Sequence, residues 1–395
     1  MTIGLVVNPI AGIGGPAGLK GSDGAAVQAE ARERGSESRA ADRAVAALAV
    51  IARERPGETI VTAAGVLGEN AVVAAGLRAH VVYAATSDAT DGADTTAATV
   101  AIASAGASLV LFVGGDGTAR DVVAGLTRHV AGLPPHVAGL GVPAGVKMYS
   151  ECFAVSPSAA GALAAEWDSG VNIPVRECDV LDIDEDQLRA GRPDPRLYGT
   201  MSVPARPGRT QARKAATPVS ERAAVHAAAV GVAARLQPDV RYLLGPGGTL
   251  AEVARVLGVE SSPLGVDIVE NGQLIVRDAS EYEALHAVAG RPAQAIVTVI
   301  GGQGFLLGRG NQQLSARILR ELGDDPLLVV ATEQKLIDLH GRPLLVDTGD
   351  RDLDERLTGH VRVITGPSTS SIYPVSAAES IQTIASDNEG AHQCV

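Results

Sequence analysis

Aromatic residues and cysteines are scarce in this chain, and each scarcity narrows the class of protein. Phe, Trp and Tyr together make up 3% of the 395 residues, which is too few for the stacked aromatic platforms that bind single-stranded nucleic acids. The cysteines, Cys152, Cys178 and Cys394, are odd in number and include no CxxC pair. We therefore expect a protein of a reducing compartment, the cytoplasm, rather than a disulfide-stabilised one.

Positive charge is also in short supply. Lys and Arg total 33 residues against 45 for Asp and Glu, so the formal net charge is −12. This balance disfavours a nucleic-acid backbone or an anionic membrane as the main partner. The uncharged residues 95–115 are long enough to span a bilayer, but Gly106 interrupts them, which favours helix, turn and strand instead. We expect small-molecule partners, no membrane and no nucleic acid, and a homo-oligomer.

Apolar runs alternate with Ala-rich helical stretches in the first part of the chain. The runs predict strands at residues 3–8, 59–63, 80–84, 109–113 and 137–141, and helical spacing predicts helices at 41–55, 95–105 and 118–128. Such alternation is typical of crossover units and a mostly parallel sheet. The predicted fold is α/β: an N-terminal Rossmann-like, three-layer domain (residues 1–145), a second mixed α/β domain with a β-rich insertion (146–366), and a flexible tail (367–395). Within the second domain, a helix near 220–236 and a strand at 240–244 begin another alternating region.

The string "GGDGT" follows the predicted buried strand 109–113, and a helical pattern resumes directly after it. Gly114, Gly115 and Gly117 would let backbone N–H groups approach a phosphate, and Thr118 offers a hydroxyl. Asp116 would be repelled by that phosphate, so a chemical role is favoured over a helix cap. The string therefore predicts a phosphate-binding turn that carries one catalytic carboxylate.

Further loops with glycines or basic residues supply the other candidate positions. The loop after the first strand contains Asn8, Gly12, Gly14, Gly15 and Lys20, and the one after the fifth strand contains Lys147. Each lysine either neutralises transferring phosphate charge or lies on the surface without a role. In the second half, "GPGGT" supplies Gly245, Gly247, Gly248 and Thr249 as a phosphate nest or only a first helical turn.

Polar and charged clusters elsewhere leave several interpretations open. Arg309, Asn311 and Gln312 crowd another glycine loop, where they would suit a base, ribose or amide. The polar segment 206–221, which contains four basic residues, forms either an exposed loop or a flap that closes on phosphates. Four aspartates at positions 347, 350, 352 and 354 lack the spacing of a calcium loop, and the eight histidines lack zinc spacing, so no protein-held metal is predicted.

Several motifs occur together and in a fixed order. They are "NPIAGIGG…LKGSDG" (8–24), "GGDGTARDV" (114–122), "GVPAGVKMYS" (141–150), "GPGGT" (245–249), "GGQGFLLGRGNQQLS" (301–315), "ATEQKL" (331–336) and "VDTGD" (346–350). Over residues 1–366 the chain resembles the divergent ATP-NAD kinase-like family, which includes the X protein of acetoin-catabolism clusters. That family lies within the superfamily of NAD kinases, diacylglycerol kinases and phosphofructokinases.

The resemblance implies an ATP-dependent kinase that phosphorylates the 2′-hydroxyl of NAD to give NADP. Asp116 matches the aspartate that deprotonates this hydroxyl, ATP or polyphosphate would be the donor, and Mg²⁺ would be held through the phosphates. The Asn-Glu or Asn-Asp pair of standard NAD kinases has no aligned counterpart, because 69–70 and 270–271 read Glu-Asn. Two alternatives remain: a lipid or small-alcohol acceptor, or a non-catalytic nucleotide-binding regulator linked to acetoin metabolism.

Overall fold

The computed structural model describes residues 2–19, 21–22, 24–87, 89–127, 137–145, 148–167, 173–183, 195–206, 209–210, 221–262 and 264–380. The chain divides into two compact units. The first comprises residues 1–12, 38–213 and 379–395, and the second comprises 13–37 and 214–378. This division differs from the predicted boundary at 145/146, because residues 146–213 remain in the first unit and residues 13–37 belong to the second.

A five-stranded sheet forms the centre of the first unit. Its strands are β1 (Thr2–Val7), β2 (Thr59–Ala63), β3 (Arg78–Tyr83), β4 (Ala107–Gly114) and β5 (Ala138–Pro143). The order is β3-β2-β1-β4-β5 and every pair is parallel. The order reverses between β1 and β4, which is the point where open parallel sheets bind ligands. The Rossmann-like prediction is confirmed.

The helices of the first unit cover the sheet. They are α2 (Ala40–Glu54), α3 (Glu69–Ala74), α4 (Gly92–Ser104), α5 (Asp116–Leu126) and α6 (Pro157–Glu166). The predicted helix, turn and strand at 95–115 are confirmed as α4, Gly106 at φ +93° and β4. Two further strands, β6 (Val175–Asp182) and β7 (Arg196–Pro204), form an antiparallel pair.

The second unit contains a separate, mixed sheet of eight strands. They are β8 (Arg241–Leu244), β9 (Asp267–Glu270), β10 (Gln273–Val276), β11 (Ala293–Thr298), β12 (Leu327–Val330), β13 (Leu344–Val346), β14 (Gly359–Ile364) and β15 (Ser370–Ala377). The order is β10-β9-β8-β11-β12-β14-β15-β13. Because β8, β11, β12 and β14 are mutually parallel, their carboxyl ends lie at one edge.

Seven helices accompany this sheet among the described residues. They are α1 (Ala25–Glu33), α7 (Arg222–Ala233), α8 (Gly248–Leu257), α9 (Glu281–Val288), α10 (Ala316–Glu321), α11 (Glu333–Ile337) and α12 (Arg351–Arg356). The predicted helix near 220–236 and the strand at 240–244 correspond to α7 and β8. The second domain is therefore α/β with a mixed sheet, as its sequence predicts.

The flexible tail predicted for residues 367–395 begins too early. Residues 370–377 form β15, which pairs antiparallel with β14 and parallel with β13. The side chains of the run "SIYPV" alternate between the two faces of the sheet, as in any strand. The polar composition of this region did not indicate that it forms a strand. Residues 381–395 lie outside the described part of the chain.

The described start of the basic segment 206–221 is attached to the first unit. Arg206 forms an ion pair with Glu166 (3.1 Å), and Arg209 also pairs with Glu166. Thr210 forms an isolated antiparallel β-bridge with Ala154. These contacts favour an anchored loop at this end, while residues 211–220 lie outside the described range.

In the part of the chain that is described, no helix is long and apolar enough to cross a membrane.

Candidate active site

Three loops meet at the carboxyl edge of the first sheet. They follow β1, β4 and β5, as parallel strands dictate. The carbonyl oxygen of Gly114 accepts hydrogen bonds from the N–H groups of Ala144 (2.9 Å) and Gly145 (3.0 Å). The side-chain amide of Asn8 donates to the hydroxyl of Thr118 over 3.0 Å. The structure therefore brings together predicted site residues from two loops, Asn8 of the first and Gly114 and Thr118 of the second.

Glycine is required at three positions in these loops, because neighbouring atoms leave no space for a Cβ. Gly12 has φ +76°, and a Cβ there would lie 2.2 Å from the carbonyl oxygen of Ala144. A Cβ on Gly114 would lie 2.2 Å from the Thr118 hydroxyl oxygen. A Cβ on Gly145 would lie 2.4 Å from Cα of Gly115. The loops thus pack tightly on one another, and larger residues would separate them.

Asp116 lies in the centre of this arrangement and is 5% exposed. It is the first residue of α5, which follows the extended N-cap Gly115, and no side chain caps that helix. Its Oδ2 accepts from the backbone N–H of Tyr149 (2.6 Å). Its Oδ1 accepts from the backbone N–H (3.1 Å) and the hydroxyl (2.7 Å) of Ser150. The helix-cap alternative is therefore wrong, because the carboxylate bonds to another loop.

Burial raises the pKa of Asp116 from 3.8 to about 7. Three hydrogen bonds, from Tyr149 N–H and from the hydroxyl and N–H of Ser150, act in the opposite direction and lower this pKa. The charge of Asp182 adds to the rise. A carboxyl group with a pKa near neutrality can both accept and release a proton at physiological pH.

Asp182 in turn belongs to a charged group beside the site. Arg120 donates to its Oδ2 over 2.6 Å and also pairs with Asp121 at 3.2 Å. The Arg120 guanidinium lies 5.7 Å from the centre of the Tyr198 ring. Arg120 thus partly compensates the carboxylate whose field raises the pKa of Asp116. Arg120 follows "GGDGT" by two residues, but nothing in the local sequence indicates its pairing with Asp182, which is 62 residues away.

The amino end of α5 supplies donors for an anion next to Asp116. The first-turn N–H groups have no side-chain acceptor from the N-cap, and Gly117 and Thr118 lie in this turn. Asn8 connects this turn to the β1 loop, and its Oδ1 also accepts from the N–H of Ile10 (3.2 Å). The arrangement can hold a phosphate group beside a buried carboxyl group.

Two predicted lysines lie outside the described residues, and two predicted glycines belong to the second unit. Lys20 and Lys147 lie outside the described residues, so their phosphate roles stay predictions. Gly14 and Gly15 belong to the second unit. There the N–H of Gly14 donates to the hydroxyl of Ser22 (3.3 Å), and a Cβ on Gly14 would lie 1.8 Å from Gly21 O. This glycine is needed for the loop to fold back on itself.

The "GPGGT" loop joins β8 to α8 in the second unit. Gly247 is the N-cap of α8 at φ +119°, and no side chain caps the helix. The ammonium group of Lys335 donates to the Thr249 hydroxyl (3.1 Å) and to Val299 O (3.3 Å). The loop is thus the start of a helix with a lysine beside it. Lys335 lies in the quoted motif "ATEQKL", but sequence reasoning gave it no role.

The polar residues of the "GRGNQQ" loop turn inward. Arg309 pairs with Asp347 at 2.7 Å, their side chains are 4% and 3% exposed, and the guanidinium lies 4.2 Å from the centre of the Phe305 ring. Asn311 donates to Leu306 O (2.7 Å) and accepts from the N–H of Gly308 (3.0 Å).

Gln312 in the same loop donates to Gly308 O over 3.4 Å. These contacts hold the loop together and form a buried ion pair. The expectation that Arg309, Asn311 and Gln312 contact a nucleotide stays a prediction. The partner Asp347 is 38 residues away, so the sequence pattern could not reveal it.

The two Glu-Asn pairs also hold turns. Glu69 accepts from the N–H of Gly65 (2.9 Å). Asn271, at φ +52°, lies between β9 and β10 and donates to Asp239 Oδ1 (3.0 Å). Neither observation supplies a grip for a dinucleotide. Among the described residues, no group of three or more His, Cys, Asp or Glu side chains could hold a metal ion.

A Rossmann-type unit with a buried aspartate in a strand-to-helix glycine turn, followed by a second α/β unit, defines the class of protein. Family comparison then assigns it: the model of the ATP-NAD kinase N-terminal domain matches residues 3–167, and that of the ATP-NAD kinase C-terminal domain matches residues 237–375. The chain therefore belongs to the ATP-NAD kinase family, and membership supports an NAD kinase-like phosphotransfer function. No curated protein and no solved structure matches the chain.

Proposed function

We propose that the protein transfers the γ-phosphate of ATP to the 2′-hydroxyl of NAD and so forms NADP, in the cytoplasm. The observation that carries the proposal is Asp116. Its carboxylate is buried, is held by three donors and has a pKa near neutrality. Asp116 does not cap α5, and burial brings its pKa close to neutrality, as a general base that works at physiological pH requires.

In the proposed reaction Asp116 accepts the proton of the substrate hydroxyl. The hydroxyl oxygen forms a bond to the γ-phosphorus, the bond from that phosphorus to the β,γ-bridging oxygen breaks, and ADP leaves with the electron pair. Asp116 later releases its proton to solvent. General-base assistance of this kind contributes about a hundredfold to ten-thousandfold in rate.

The donors around Asp116 would bind phosphate groups of one nucleotide. In the first unit these are the N–H groups of Gly115, Gly117 and Thr118, in a geometry maintained by Gly12, Gly114 and Asn8. We include Lys20 and Lys147 as charge-neutralising groups on their sequence positions alone. Mg²⁺ would be held through the phosphates and water, and would supply charge neutralisation.

A second set of phosphate contacts belongs to the proposal for the second unit. Gly245, Gly247, Gly248 and Thr249 begin α8, and Lys335 places a cation 3.1 Å from the Thr249 hydroxyl. A glycine turn, a helix amino end and an ammonium group form a common phosphate-binding combination. This loop would bind phosphates of the other nucleotide.

One assay tests the proposal directly. Purified protein is incubated with Mg-ATP and NAD, and NADP is measured with an NADP-specific dehydrogenase; polyphosphate replaces ATP in a parallel reaction. We expect NADP formation that the Asp116→Asn protein loses. Nucleotide binding without NADP in either reaction would support the regulator alternative, and ATP consumption only with a lipid or small alcohol would support that acceptor class.

A further inference from the structure

Ser150 is fully buried and connects Asp116 to strand β6. Its hydroxyl donates to Asp116 Oδ1 over 2.7 Å. The same oxygen accepts from the N–H of Leu181 over 3.0 Å, and Leu181 O lies 2.9 Å away as a second possible acceptor. A serine hydroxyl carries one proton, so it can satisfy one of these two acceptors at a time.

Counting lone pairs distinguishes the two oxygens of Asp116. Each carboxylate oxygen offers about two acceptor positions. Oδ1 fills both, with the N–H and the hydroxyl of Ser150. Within the described residues, Oδ2 accepts one hydrogen bond, from the N–H of Tyr149. With respect to the described residues, the open acceptor position is therefore on Oδ2.

We propose that Ser150 is a positioning residue that occupies Oδ1 and thereby reserves Oδ2 of Asp116 for the substrate proton. The inference rests on the proposed role of Asp116 as the general base. Ser150 itself contacts no reacting atom. It acts through the orientation and the charge of the carboxylate.

The hydroxyl also favours one charge state of Asp116. Hydrogen bonds to an ionised acceptor are shorter and stronger than those between neutral groups, so ionised Oδ1 attracts the Ser150 proton. When Oδ2 takes up a proton, that attraction weakens and Leu181 O becomes the competing acceptor. Ser150 therefore stabilises the carboxylate more than the carboxylic acid and lowers the pKa of Asp116.

Other titratable groups that face Asp116 are retained when Ser150 changes. Tyr149 and Cys152 lie on the same loop, and burial raises the pKa of Tyr149 to about 12 and that of Cys152 well above 9.0. Asp182 of β6 is paired with Arg120 of α5. Ser150 also lowers the pKa of Cys152 through a side-chain hydrogen bond, so Ser150→Ala raises the pKa of that thiol further. Because Tyr149 and Cys152 therefore both stay neutral near pH 7, the change in Asp116 is separable from them.

The test variant is Ser150→Ala, and Ser156→Ala is its matched control. Ser156 is also fully buried in the first unit, and it accepts from the N–H of Ala159 (3.1 Å) as the N-cap of α6. Both variants delete one buried hydroxyl, but only one hydroxyl contacts Asp116. Thermal unfolding of both proteins establishes how much stability each hydroxyl contributes.

The first readout is the pKa of the Asp116 carboxyl group. It is measured by titrating the infrared C=O band of the protonated form. The band is assigned by its absence from Asp116→Asn. We expect Ser150→Ala to raise this pKa by about one pH unit or more, as the loss of a charge-assisted hydrogen bond predicts, and Ser156→Ala to leave it unchanged. A wild-type pKa in folded Ser150→Ala would overturn the proposal.

The second readout is the pH profile of NADP formation. The acid limb of kcat/KM should move upward with the carboxyl pKa. At pH values above the carboxyl pKa, kcat of Ser150→Ala should stay about tenfold below that of wild type with little change in KM, because the carboxylate is no longer oriented. A kcat of Ser150→Ala equal to that of wild type at high pH would show that Ser150 does not orient the carboxylate.

The two readouts separate the two hypotheses. The infrared titration needs no turnover, so it tests Ser150 even if the protein forms no NADP. Absent NADP formation with a normal infrared shift would refute the NAD kinase proposal and leave the Ser150–Asp116 coupling. If Ser150→Ala does not fold, Ser150→Cys keeps most of the volume with a weaker donor, and an unchanged carboxyl pKa in that variant would overturn the proposal equally.

Discussion

Replacing Asp116 with Asn removes a buried negative charge without changing the size of the side chain. The pKa of Asp116 rises from 3.8 to about 7 on folding. This difference of about 3 pH units corresponds to about 4 kcal/mol at 1.36 kcal/mol per unit. The amide also gives up hydrogen bonds, since its NH2 group must face one of the donors on Tyr149 or Ser150.

The sign of the pH dependence follows from that raised pKa. Between about pH 4 and pH 7 the folded protein keeps a proton on Asp116 that the unfolded chain has lost. The contribution of this group to stability is thus complete below about pH 4 and disappears as pH rises through about 7. The asparagine side chain of the variant does not titrate, so the variant lacks this contribution at every pH.

The free energy of unfolding of wild type minus that of Asp116→Asn should fall by about 3 kcal/mol from pH 5 to pH 8. Urea denaturation at both pH values measures it. A pH-independent difference would show that Asp116 is not a buried group with a raised pKa.

The same substitution tests catalysis. Without a proton acceptor, kcat for NADP formation should fall by about a hundredfold to ten-thousandfold. Nucleotide affinity should be retained or increase, because a negative charge near phosphate groups is gone. Calorimetric titration with ATP is the control for binding. Turnover close to the wild-type rate would exclude Asp116 as the general base.

Three further substitutions or deletions test other parts of the molecule. Arg309→Ala breaks the buried ion pair with Asp347, so urea denaturation should show a loss of about 3–5 kcal/mol with an unchanged nucleotide Kd; weaker nucleotide binding at full stability would instead indicate that Arg309 contacts the nucleotide. Lys20→Ala should lower kcat far more than the melting temperature, and unaltered kinetics would identify a surface lysine. Deleting residues 381–395 keeps all of β15 and should leave NADP formation near wild type; a folded but inactive truncation would contradict this.

The five strands of the first sheet and the turn after β4 were predictable because their signals are local. A charge-free apolar run such as residues 109–113 suits a strand covered on both faces, and glycines directly before a helical pattern require a tight turn. The parallel arrangement follows from the strand–helix alternation. Parallel strands then place their following loops at one edge, and this predicts that the Asn8 loop lies near Asp116.

Contacts between residues far apart in the chain were not predictable in the same way. The donors that hold Asp116 come from Tyr149 and Ser150, 33 and 34 residues later, in a loop where the sequence indicated a role for Lys147 but none for these two residues. The loop around Arg309 has the polar composition of a ligand-binding loop, yet the tertiary structure pairs Arg309 with Asp347. Residues 370–377 form a strand only because β13 and β14 offer backbone partners. In each case the energy depends on burial and on partners from other elements, and a single stretch of sequence specifies neither.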